Sequence, residues 1–119
     1  MHPNFAAERD DRATIPMIPE ILRYRIAAAR ADAFERDYAA AGDALRRSPH
    51  CLGFELLRSD KDPELYLLTI HWDSADGHLQ GFRQSPEFRD FFAHIKPYLA
   101  DLLEMEHYRA TGVAWTRPA

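Results

Sequence analysis

Apolar and polar residues alternate from Ile18. Ile18, Leu22, Tyr24 and Ile26 fall on one parity and Arg23 and Arg25 on the other, the period-two signature of a strand with two unlike faces. The period then changes. Phe34, Tyr38, Ala41 and Leu45 recur at helical spacing, Asp32 and Glu35 resemble a capping box, and Ser48-Pro49 stops the run, so a helix is predicted from about Asp32 to Arg47. Cys51 to Arg58 alternates again through Leu52, Phe54 and Leu56, and Gly53 within it predicts a bulge or a close backbone approach. A polar turn, Asp60-Lys61-Asp62-Pro63-Glu64, leads into Leu65-Tyr66-Leu67-Leu68-Thr69-Ile70-His71-Trp72. That run is too short for an ordinary helix and reads as a central strand, paired with the preceding one as a hairpin.

Beyond Trp72, Ser74 is a helix cap, and Ser85 with Pro86 and Glu87 marks a second helix start, followed by Phe88, Phe91 and Phe92. Pro97 restarts or kinks the helix that carries Tyr98, Leu99 and Leu102. A last strand is predicted over Leu103 to Thr111, with Leu103, Met105 and His107 alternating against Glu104, Glu106 and Tyr108. The order β-α-β-β-α-β is the ferredoxin-like, split βαβ arrangement: an α+β fold with an antiparallel sheet, strand order 4-1-3-2, and helices on one face. Arg23 and Arg25 should meet Glu104 and Glu106 on one face. Leu22, Tyr24, Ile26, Phe54, Leu56, Leu68, Ile70, Trp72, Met105 and His107 should lie under the helices on the other. The uncovered face, with Leu57, Leu67, Thr69 and His71, is an expected homodimer surface.

Composition narrows the function. A chain of 119 residues has room for one domain with a real core. Residues 1–17 read as a flexible arm, 18–115 as the domain and 116–119 as a tail. Fifteen Lys and Arg against nineteen Asp and Glu, net charge −4, give phosphate binding no electrostatic support, and no Gly-aromatic run of the RNA-binding kind occurs, so nucleic acid is not an expected partner. The single Cys51 excludes an internal disulfide framework and fits a reducing compartment. No apolar run approaches a membrane span and Met1 to Asp11 lack signal-peptide blocks, so a cytoplasmic protein is expected.

Candidate chemistry centres on Trp72, which either walls a pocket between sheet and helices, its indole N–H aimed at a substrate oxygen, or fills the core. Tyr24 and His107, predicted on one face of adjacent strands, either act as acid and base or satisfy one another in the core. His78 follows Trp72 by one helical turn, either lining the pocket mouth or lying on the surface. Phe82, Phe54, Phe92 and Met105 are apolar lining candidates. No His pair has i, i+4 spacing and no carboxylate clusters with one, so no metal site is expected.

Trp72 followed by Asp73-Ser74, the Ser85-Pro86-Glu87-Phe88 element and Glu104-Met105-Glu106-His107-Tyr108, in this order of elements, together resemble the antibiotic biosynthesis monooxygenase family. The resemblance implies a dimeric α+β barrel and, for many members, oxidation of phenols, quinols or polycyclic aromatics by molecular oxygen without metal or flavin; other members degrade haem. Two positions depart from the family. Its His three residues before the Ser-Pro element is Phe82 here, and the iron-binding His of the haem-degrading branch falls on Phe92, with His94 roughly 200° further around the helix. Haem degradation by that ligand is therefore not expected. The expected function is a cofactor-independent monooxygenase of a small phenolic or quinol-like aromatic, with Trp72, Tyr24 and His107 as catalytic candidates; the alternative is a non-catalytic module of the same fold that binds a hydrophobic ligand or dimerises.

Overall fold

Each alternating segment forms a strand and each helical period a helix. The computed structural model describes residues 17–119, and the arm expected over 1–17 lies outside the described residues apart from Met17. Strands β1 (Ile18–Arg25), β2 (Cys51–Arg58), β3 (Leu65–Trp72) and β4 (Leu102–His107) make one antiparallel sheet in the order β2-β3-β1-β4, as expected. Helices α1 (Ala31–Arg47) and α2 (Pro86–Ile95) pack on one another and, with Leu22, Tyr24, Leu68, Ile70 and Trp72 of the sheet, build the core. No described helix is long and apolar enough to cross a membrane.

The sheet's two faces differ in the way the alternation demands. Along β3, Tyr66, Leu68, Ile70 and Trp72 are buried while Leu65, Leu67, Thr69 and His71 are only half-buried. On the open face Arg23 pairs with Glu104 at 2.6 Å. Arg25 does not reach Glu106; it turns to Asp62 and Glu64 of the hairpin loop, at 3.2 and 3.5 Å.

Helix ends follow local chemistry. Ser85 caps α2 through its hydroxyl, which accepts from the Phe88 N–H at 3.3 Å, with Pro86 in the first turn. The capping box expected at Asp32 does not form. A 3₁₀ turn over Ala28–Arg30 runs straight into α1, leaving Asp32 inside the first turn, where its charge favours the helix dipole. Glu35 accepts instead from the Tyr66 hydroxyl at 2.6 Å.

Two strands carry irregularities. The bulge expected near Gly53 is present, as a register shift between Cys51 and Gly53. In β4, Tyr24 faces Leu102 while Arg23 faces Glu104, so Leu103 is an extra residue. β4 also begins one residue earlier and ends four residues sooner than the pattern suggests, because Leu102 takes the core position opposite Tyr24 and β1 has almost run out by Tyr108, whose N–H bonds Pro19 at 2.7 Å.

Candidate functional site

Glu20 stands in phase with Leu22 and Tyr24, and that parity puts its carboxylate under the helices, 4% exposed. The register sets His107 directly across from Glu20 on β4, while on the other side Ile18 faces Trp72. The Trp72 indole is completely buried, and its N–H donates to Glu20 Oε1 at 2.9 Å.

The chain after β3 closes over this pair. Ser74 accepts from the Gly77 N–H at 2.8 Å, and the helix it starts widens into a π-helical turn, Gly77–Gly81, a form frequent at functional sites. One side of the turn carries His78 and Phe82. The His78 ring lies flat on the indole, centroids 4.3 Å apart and planes 8° apart, with Phe82 tilted against it at 5.0 Å. The other side carries Gly77 and Gly81, where a Cβ would collide with the Asp73 carboxylate and the His50 ring respectively. Those two side chains are joined by His50 Nδ1 to Asp73 Oδ2 at 2.9 Å, beside an Asp73 N–H to His50 carbonyl bond of 2.9 Å. Glycine is needed at both positions because His50 and Asp73 occupy the space a side chain would take.

A polar chain results in the apolar surroundings. His78 Nδ1 is 2.7 Å from His107 Nε2, and His78 Nε2 is 3.7 Å from Glu20 Oε1. Burial raises the Glu20 carboxyl above its ordinary range, against the pull of the Trp72 bond, His107 and Arg83. Burial, with smaller effects of His107 and Arg83, lowers His78 to about 4, so this imidazole is neutral at physiological pH. His107 is half-buried and is the member of the chain that reaches the edge of the sheet. Each of Glu20, His78 and His107 offers one donor atom, the three within 4.8 Å of one another, a set able to shuttle a proton or to hold a cation.

Of the residues singled out by sequence, Trp72, His78, Phe82 and His107 come together here. Trp72 is packed by His78 and Phe82 where a cavity was expected. Tyr24 is elsewhere: it faces Leu102 and Tyr66, four residues along β1 from the partner of His107 or about 13 Å, and its hydroxyl bonds that of Tyr38. Burial pushes the Tyr24 phenol up to about 12 and that of Tyr38 higher still. Phe54 lines an open cleft of about 270 Å³ with Leu56, Tyr38 and Tyr66, with Glu35 and Arg58 also lining it, towards the opposite end of β3. Phe92 packs on Phe88 at 5.7 Å, His94 is exposed on α2, and Met105 lies across from Leu22 but is 53% exposed because β4 is the sheet edge. Glu20 escaped the sequence reading, although a charge in register with core residues of β1 was a visible signal.

Comparison with known proteins agrees with this architecture. The family model described as antibiotic biosynthesis monooxygenase matches residues 17–94. A mycobilin-producing haem oxygenase of Mycobacterium tuberculosis is 36% identical over 75 residues, covering 60% of this chain and 70% of that one. Among solved structures, a Bordetella bronchiseptica protein bearing the antibiotic biosynthesis monooxygenase name superposes with TM-score 0.71 at 28% identity, over 81% of this chain and 98% of that one. SnoaB of Streptomyces nogalater, a cofactor-independent oxygenase, shares the fold with TM-score 0.68 at 21% identity, over 82% and 96% of the two chains. With the family model covering most of the domain and the sheet, helices and Trp72 environment in place, the chain belongs to the antibiotic biosynthesis monooxygenase family.

Proposed function

We propose that this protein is a small monooxygenase that oxidises a phenolic or quinol-like aromatic with molecular oxygen and no bound cofactor. The observation that carries the reading is the chain from buried Glu20 through His78 to half-buried His107. A cofactor-free oxidation needs a phenolate, since the substrate itself must pass electrons to oxygen. In this scheme His107 takes the phenolic proton on Nδ1, because its Nε2 is held 2.7 Å from His78 Nδ1. The electron-rich ring then binds oxygen as a peroxide. Loss of water leaves a quinone, with one oxygen atom in the product and the other in the water. Trp72 and Phe82 hold His78 in place, and His78 holds His107. SnoaB, named as a cofactor-independent oxygenase, supports the reading by fold. Oxygen uptake with a panel of hydroquinones tests it: wild type should consume oxygen, and His107→Ala should lose most of that rate. Absence of uptake by wild type, or an unchanged rate in the variant, rejects it.

The functional form in this reading is a homodimer, in which a second copy covers the open sheet face. Leu57 is 44% exposed there, and His71 Nδ1 is buried without a hydrogen-bond partner among the described residues.

The Phe54 cleft favours a second reading, a non-catalytic binder of a hydrophobic molecule, because it lies apart from the imidazoles. That reading expects apolar compounds to raise the melting temperature with no oxygen consumed.

A further inference from the structure

We infer that Glu20, His78 and His107 form a binding site for a divalent first-row transition-metal ion. The inference rests on donor geometry, independently of the proposed oxidation. Two imidazoles and one carboxylate come from three separate elements, β1, the π-helical turn and β4, and their donor atoms converge within 4.8 Å. Imidazole suits zinc, copper, iron and nickel, and two His with one carboxylate is a recurrent set for such ions, with further positions left to water or substrate.

The surroundings are those of a built site. Glu20 and His78 are 4% and 5% exposed, so neither donor is a mobile surface group. Trp72 donates to one Glu20 oxygen and orients the carboxylate, as an outer partner does for a metal ligand. The stack on Trp72 fixes the plane of His78, and the glycine-lined seat of His50 and Asp73 fixes the turn that carries it. One adjustment is required. Two nitrogens bound tetrahedrally to one ion lie roughly 3.4 Å apart, whereas His78 Nδ1 and His107 Nε2 are 2.7 Å apart. His107, on the edge strand, is the group placed to move outward. A bound ion breaks the His78–His107 hydrogen bond by which the oxidation scheme holds its base, so metal loading and cofactor-free turnover exclude one another.

The full chain, stripped with a chelator and dialysed, is titrated with Co²⁺ alone, without any aromatic substrate. One ion per chain, visible absorption bands of nitrogen-ligated cobalt and a raised melting temperature are expected, with Zn²⁺ displacing the cobalt. His107→Ala, which truncates a half-buried side chain, should weaken binding about tenfold or more, and Glu20→Gln should act in the same direction. His94→Ala, which removes an exposed imidazole on α2 outside the triad, should leave stoichiometry and affinity unchanged. No saturable binding at micromolar protein, or binding that His107→Ala leaves intact, overturns the site. Because no substrate enters the measurement, that failure is distinguishable from failure of the oxygenase reading.

Discussion

The imidazole of His78 covers the face of the Trp72 indole, and the two rings are within 8° of parallel. This stack joins the end of β3 to the turn that closes the site. Phe82→Ala, which removes the neighbouring ring, should cost about 3–5 kcal/mol. His78→Ala should cost less, about 1–3 kcal/mol, since the ring it deletes leaves His107 with an edge to solvent. Denaturant melts followed by the near-ultraviolet signal of Trp72 check both values.

Gly81→Ala places a methyl group 2.5 Å from the His50 ring. The ring is tied to Asp73 and cannot swing away freely, so the substitution should destabilise the fold by about 1–3 kcal/mol. Gly53→Ala has nothing within 4 Å of its added methyl, and its effect should be under about 1 kcal/mol in either direction. Paired thermal melts of the two variants decide whether contact with His50 sets the difference.

Alkaline pH should weaken the fold through the Tyr24 and Tyr38 pair. Tyr24 ionises near 12 when folded, against an ordinary value of 10, and Tyr38 is shifted the same way. A raised folded value means that the native state keeps protons the unfolded chain has lost. The stabilising effect is complete below pH 10 and disappears as pH rises towards 12. Denaturation midpoints in wild type should hold level up to about pH 10 and fall between pH 10 and 12, and that fall should be shallower in Tyr38→Phe.

Association across the open sheet face is expected to depend on residues at its centre. Leu67→Arg sets a charge among Leu57, Thr69 and Arg23 and should convert a dimer into monomers, as read by sedimentation velocity, while leaving the core beneath β3 folded. A wild type that sediments as a monomer contradicts the dimer proposal.

Much of the fold was legible because β1, β2 and β4 alternate, β3 is an apolar run too short for a helix, and each helix carries an apolar stripe. Strand order, the bulge at Gly53 and the Ser85 cap all follow from local chemistry. The site was less legible. Trp72 and His107 could be assigned to the covered face, but pairing His107 with Tyr24 required the β1–β4 register, and that depends on where β4 starts. Glu20 has the parity of a core residue, and its charge hid it. His78 was visible one turn after Trp72, yet its flat stacking depends on a π-helical widening that no residue spacing announces. The site therefore lies where long-range register and an irregular turn meet, and both are set by the assembled protein.

The supernumerary Leu103 of β4 has an electrostatic consequence. Were Leu103 paired with Arg23 instead of bulged, the strand leaving Leu102 opposite Tyr24 would advance one for one, and Glu106 would arrive across from Glu20. Two acids would then confront each other in the low-dielectric interior, and one would have to remain protonated. By absorbing one residue, the edge strand presents a base to that acid and turns a repulsive encounter into a cooperative one.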